Sequence, residues 1–250
     1  MVLNKLAVLR GDDDRDASLA QHLAVDLLEL QQALTGEVEI LLSYRDGCLK
    51  LLDRQTLKKG GLTVDIEPRP GEQHSYPAPK KDLLAQAVGK KTISIVDATT
   101  GWAQDSLALF RMGYQLTCIE RSAIMAALTQ DGFERLAQKD WVKNRQLTPP
   151  TLLIGNAIEL LGKLPEKPDC IYLDPMFPQK RKQSAATRKS MAILRDILGD
   201  DLDRQALFDA AMQASGRRVV VKSPDYAEPL GGKPNESYQG KLLRYDVYLK

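Results

Sequence analysis

The densest chemistry in this 250-residue chain lies at Asp174-Pro175-Met176-Phe177-Pro178, which closes the apolar run Cys170–Leu173. An acid at a strand end, a proline-stiffened turn and an aromatic ring make a compact pocket for a planar exocyclic amine. The amine N–H groups donate to the Asp174 carboxylate and to a backbone carbonyl. Phe177 stacks on the ring, and the amine lone pair is held toward an electrophilic methyl carbon. Such catalysis works by orientation and electrostatics, without a metal or a covalent intermediate. A second group lies upstream. Ile93, Ile95 and Val96 run into Asp97, small residues follow to Gly101, and a helical pattern opens near Trp102. An apolar strand, a small-residue turn and a helix start build a nucleotide-sized site, because the ligand approaches the backbone and the free N–H groups closely. Glu120 ends the next strand, roughly 20 residues on, where an acid accepts both ribose hydroxyls of a nucleoside.

The turn selects among nucleotides. A pyrophosphate binder needs G-x-G-x-x-G to wrap its phosphates, whereas here Gly101 is followed by Trp102 and Ala103. S-adenosylmethionine carries no phosphate, and Asp97 suits its cationic amino-acid end. Asp105, in the first helical turn, either bonds that same end or complements the helix dipole. A nicotinamide oxidoreductase is the competing enzyme reading, disfavoured by the missing glycines. The pocket chemistry does not separate guanine N2 from adenine N6.

These residues need elements to place them. Up to about residue 67 the pattern predicts strands Leu6–Leu9, Glu37–Tyr44, Cys48–Asp53 and Leu62–Glu67. It also predicts one helix, Asp16–Leu34, and a tight turn at Asp46-Gly47, together a small α+β unit with an antiparallel sheet. Pro68–Pro79, rich in proline, reads as a linker or long loop to a second unit, residues 68–250. From Ile93 on, strands and helices alternate. Helices are expected at Trp102–Arg111, Ser122–Lys139, Ala157–Leu161, around Ser190–Leu198 and at Asp203–Ser215. Strands are expected at Gln115–Glu120, Thr151–Ile154, Cys170–Asp174, Arg217–Lys222 and Leu242–Leu249. Alternation implies a parallel sheet with right-handed crossovers, an α/β fold whose ligands sit at the carboxyl ends of the strands. Asp97, Glu120, Asn156 and Asp174 all fall there.

Composition narrows the class. The chain is 43% hydrophobic and so can bury a substantial core, and its net charge of +2 implies no nucleic-acid partner by itself. Distribution matters more. Lys180, Arg181, Lys182, Arg188 and Lys189 follow the pocket with no acid among them, well placed to hold phosphates beside a base turned out of folded RNA. Cys48, Cys118 and Cys170 are odd in number and contain no CxxC, which fits reduced thiols in a cytoplasmic protein rather than a disulfide framework or zinc site. No metal is expected. The pattern predicts neither a signal peptide nor a membrane-spanning apolar run of about 18 residues.

Several stretches together resemble a known family. Ile95–Asp105 (IVDATTGWAQD), CIER at Cys118–Arg121, YLDPMFPQK at Tyr172–Lys180, DLD at Asp201–Asp203 and RVVVKSPDYAEPL at Arg218–Leu230 are similar to ribosomal RNA small subunit methyltransferase J. From about Leu62 the resemblance runs to the end of the chain. It implies a Rossmann-like class I S-adenosylmethionine-dependent methyltransferase domain, with the small α+β unit in front. It also implies transfer of methyl to the N2 amine of a guanine in 16S ribosomal RNA, with that RNA or the small ribosomal subunit as partner. Carried over by position, the family's cofactor contacts fall on Gln104, Asp105, Glu120, Arg121, Asn156, Ala157 and Asp174, beside the Asp97 and Gly101 already singled out. The family turn resembles D-A-T-A-G-L-G-R-D. Here Ala103 stands for its second glycine and Gln104 for its arginine, and HSYPAPKK stands where a Gly- and Arg-rich stretch is usual. The altered turn keeps open an RNA-binding assembly protein without catalysis.

Overall fold

The computed structural model describes residues 6–11, 13–36, 38–53, 60–68, 81–177 and 203–250. The Pro68–Pro79 linker beyond its first residue, the basic run Lys180–Lys189 and the Ser190–Leu198 helix lie outside them.

Two sheets organise the chain. The first comprises β1 (Leu6–Leu9), β2 (Asp26–Leu28), β3 (Ile40–Arg45) and β4 (Cys48–Asp53), in the order β2-β1-β3-β4. β1 pairs parallel with both β2 and β3, and β3–β4 alone is antiparallel, so the expected antiparallel sheet is corrected to a mainly parallel one. The single helix expected over Asp16–Leu34 is instead α1 (Arg15–Leu23), β2 and α2 (Leu30–Thr35). Ala24 adopts φ 53°, and its N–H bonds back to Ala20 and Gln21, so the chain leaves the helix and runs out beside β1. Leucine spacing concealed this, because Leu27 and Leu28 belong to a strand while Leu30 and Leu34 face solvent. The Asp46-Gly47 turn closes β3 onto β4 as expected, both residues at positive φ. Leu62–Glu67 makes no strand. It meets the sheet through one bridge, Leu51 to Leu62.

The second sheet has seven strands. They are β5 (Ser94–Asp97), β6 (Gln115–Glu120), β7 (Thr151–Ile154), β8 (Cys170–Leu173), β9 (Arg218–Pro224), β10 (Glu236–Gln239) and β11 (Leu243–Leu249). Their order is β10-β11-β9-β8-β5-β6-β7, with β7 to β9 parallel and β11 antiparallel to both neighbours. Strand residues alternate between two cores. Ile95, Cys118, Cys170, Tyr172 and Val220 face α3 (Leu83–Val88), α4 (Gln104–Arg111) and α5 (Ala123–Ala137). Val96, Ile119, Ile171, Leu173 and Val221 face α7 (Ala157–Leu161) and α8 (Arg204–Ala214). Burial on both faces is what a parallel sheet between helix layers requires. A short helix the sequence reading missed, α6 (Asp140–Asn144), follows α5.

The two sheets are bound through α5. Val64 and Ile66 join the same core cluster as Leu128 and Phe133. Arg135, paired with Asp131 at 2.8 Å, donates to Thr63 Oγ1 (3.2 Å) and to the Val64 carbonyl (2.8 Å). Among the described residues no helix is long and apolar enough to cross a membrane.

Candidate active site

The chain runs outward from β5 through β6 to β7, then returns to β8 on the other side of β5. The crevice at this reversal is where α/β sheets bind ligands. A cavity of about 340 Å³ opens there, within the ~300–1,000 Å³ usual for small-molecule sites. Asp97, Gly101, Gln104, Asp105, Glu120, Arg121, Asn156, Ala157 and Asp174 all line it. Phe177 does not; its ring lies 5.3 Å below the Arg204 guanidinium.

The β5–α4 turn is built by its own polar groups. Asp97, 2% exposed, accepts from the Thr99 N–H at 3.0 Å and from the Ser106 hydroxyl. Burial raises its carboxyl to about 7, against the pull of those two bonds. Gly101 takes φ 50° and Ala103 φ 55°, so the chain turns left-handed twice before α4 begins. Ala103 thus adopts the conformation a glycine would supply, and the turn survives the change from the family pattern. Its N–H bonds to the Thr100 carbonyl at 2.8 Å, and its own carbonyl accepts from Leu107 at 2.8 Å. Trp102 is half-buried, lining the cavity while packing on the core.

Glu120 joins two turns. Its carboxylate accepts the Gly101 N–H at 2.8 Å through one oxygen and the Ser122 N–H at 2.7 Å through the other. It is 5% exposed, and burial raises its pKa despite those bonds. A carboxylate has about four acceptor positions, so this anchoring leaves capacity for ribose hydroxyls. Asn156 caps α7 by accepting from the Ile158 N–H at 3.0 Å, and Arg121 lies 3.6 Å from Asp203.

On the other wall, the Asp174 N–H donates to Thr99 Oγ1 at 2.6 Å, tying the β8 end to the β5 turn. Lys222, which the sequence reading treated only as a basic strand end, donates to Asp174 Oδ2 at 2.9 Å and to Asp105 Oδ2 at 2.7 Å. The Tyr172 hydroxyl donates to the same Asp105 oxygen at 2.5 Å. Burial, followed by the Asp105 and Asp174 carboxylates, holds the Tyr172 phenol far above its ordinary pKa. Only the fold places Lys222 here: the β8–β9 register pairs Leu173 with Val221, one residue short of Asp174 and Lys222.

Comparison with known proteins decides among the chemistries. The family model for SAM-dependent methyltransferases (SAM_MT) matches residues 24–250. Ribosomal RNA small subunit methyltransferase J of Aeromonas salmonicida is 39% identical over 247 residues, spanning 95% of each chain. The protein of the same name from Tolumonas auensis is 37% identical over 254 residues, spanning 98% of each. This chain belongs to the ribosomal RNA small subunit methyltransferase J family, a branch of the SAM-dependent methyltransferases. A solved SAM-dependent methyltransferase from Neisseria gonorrhoeae has the same fold at 27% identity, with a TM-score of 0.69 over 98% of this chain and 96% of that one. The likeness reaches into the first sheet, further than the sequence motifs alone carry it. The chain is therefore an S-adenosylmethionine-dependent enzyme, and the cavity fits that cofactor. Its lining carries the carboxyl groups of Asp97, Asp105, Glu120 and Asp174, and the turn has no three-glycine phosphate cradle.

Proposed function

We propose that this enzyme methylates the exocyclic N2 amine of a guanine in 16S ribosomal RNA, with Asp174 and Phe177 at the acceptor. One observation carries the reading: the Asp174 carboxylate, held by Lys222 on a backbone whose N–H is tied to Thr99, shares a cavity with the Glu120 carboxylate. The name of the relatives supplies the base and the RNA.

The bound cofactor supplies an electrophilic methyl group on a sulfonium. The residues of the chain hold the nucleophile. Asp174 accepts an N–H of the amine and points the nitrogen lone pair across the cavity, while Phe177 swings onto the base ring in place of Arg204. Asp97 and Asp105 bind the amino-acid end; Glu120 binds the ribose; Gly101, Gln104, Arg121, Asn156 and Ala157 shape the remainder. S-adenosylmethionine held by these residues would supply the methyl group, and the amine held by Asp174 gives up one proton to water as its nitrogen takes that methyl. Orientation of this kind supplies much of a transfer barrier without a covalent enzyme intermediate.

The basic run Lys180, Arg181, Lys182, Arg188 and Lys189, which follows the pocket residues in sequence, holds RNA phosphates in this reading. The partner is small-subunit RNA or the small subunit itself, and the compartment is the cytoplasm, consistent with the unpaired Cys118 and Cys170. The chain divides near residue 67 into an N-terminal unit and the methyltransferase unit, supported by two separate sheets among the described residues.

The test is methyl transfer from labelled S-adenosylmethionine to small subunits that lack the modification, followed by digestion to nucleosides. Label in N2-methylguanosine is the expected result. Label in N6-methyladenosine reassigns the base, and RNA binding without transfer points to an assembly protein.

A further inference from the structure

Lys222 occupies the centre of the acidic wall and has no role in the cofactor contacts carried over from the family. Its ammonium touches two carboxylates from different elements, Asp105 on α4 and Asp174 after β8, at 2.7 and 2.9 Å. The other ionisable groups facing this cluster are Asp97 from β5, Tyr172 from β8 and Tyr245 from β11. Among the described residues they add acids and phenols to the cluster. Lys222 is largely buried, its side chain 23% exposed. Burial opposes its charge, yet Asp174 and Asp105 together hold the ammonium above the ordinary lysine value.

The backbone that carries it is clamped. Lys222 sits opposite Tyr245 in the β9–β11 register. Arg244, paired with Asp246 at 2.9 Å, donates to the carbonyls of Pro224 (2.9 Å) and Ala227 (2.7 Å) just beyond. The lysine therefore enters the cavity from a fixed point.

We infer that Lys222 is a positioning residue, which keeps the Asp174 carboxylate ionised and correctly turned for the target amine and links it to the cofactor-side Asp105. The inference rests on the role of Asp174 proposed above. Without the ammonium, Asp174 loses the Lys222 charge and keeps the carboxylates of Asp105 and Asp97 nearby. Like charges favour protonation, and a protonated acid donates where it must accept an amine N–H. Activity is then lost from the acidic side first.

The experiment measures kcat/KM against pH for the full chain on unmethylated small subunits, with Lys222→Met, Lys222→Gln and Lys222→Arg. Met and Gln, both uncharged, should move the acid limb upward by about one to three pH units, and Arg should restore it. Titration with S-adenosylhomocysteine checks that each variant is folded and binds cofactor. Gln keeps a polar group and serves if Met does not fold. A uniform loss at all pH values, with the limb unmoved, overturns the inference and leaves Lys222 a structural residue. Asp174→Asn separates the two claims: if it stays active, the reading of Asp174 itself fails. If it is inactive while the Lys222 limb is unmoved, the lysine role alone fails.

Discussion

In the proposed reading Glu120 serves protein and ligand with one carboxylate; on the protein side both oxygens accept backbone N–H groups, from Gly101 and Ser122. Glu120→Ala removes two charge-assisted bonds, each worth about 1.5–3 kcal/mol, together with the ribose acceptor. S-adenosylhomocysteine affinity should fall at least about tenfold by calorimetric titration, and an unchanged affinity would move the ribose elsewhere. Asp97 gives a prediction in pH. Its folded carboxyl is raised to about 7 from an ordinary 3.8, so the folded state keeps a proton that the unfolded chain has lost. That contribution to stability is complete below about pH 4 and is lost as pH rises through about 7, at up to about 1.4 kcal/mol per pH unit. Urea unfolding at pH 5 and pH 8 should show a larger drop for wild type than for Asp97→Asn, which has no proton to lose. Equal drops in the two proteins would mean that Asp97 stays ionised. At this scale the acids could be read from their place after apolar runs. Lys222 could not, since its partners depend on which strand lies beside β8.

At the scale of elements, the β5–α4 turn explains how the site tolerates an unusual sequence. Ala103 is fully buried and left-handed, a conformation that costs an L-residue about 1–2 kcal/mol. Glycine relieves that strain but loses more backbone freedom on folding, by roughly 0.5–1 kcal/mol. Ala103→Gly should therefore raise stability by about 0.5–1 kcal/mol in urea unfolding and leave cofactor affinity at least as high. A destabilised variant would mean that the methyl group's packing outweighs the strain. Element boundaries in the α/β region were legible because strand and helix periods alternate cleanly there: β6, β7 and α7 fall on the expected residues. The stretch after α1 was not. Three leucine-rich segments share a helical spacing by coincidence, and the left-handed Ala24 that separates them carries no sequence mark such as glycine.

The whole molecule is held by the seam between its sheets, and α5 carries that seam. Gly132 lies on α5 where an added Cβ would come 2.7 Å from Val64 Cγ1. A mid-helix glycine normally costs about 1 kcal/mol against alanine, so its presence marks the close approach. Gly132→Ala should lower stability by about 1 kcal/mol, the helix gain being outweighed by ~1–3 kcal/mol of overpacking. Val64→Ala in the same chain should return part of that loss, measured as a coupling in a double-mutant cycle. A stabilised Gly132→Ala would mean that the seam is loose. Local pattern sufficed for the alternating elements, the strand-end acids and the family motifs, because each depends on residues within one strand, turn or helix. The strand order, the parallel pairing of β1 with β2 and β3, the Gly132–Val64 seam and the Lys222 bridge arose only on folding. Each depends on contacts between segments far apart in the chain, where side-chain volume and register decide the neighbour and no short stretch records the outcome.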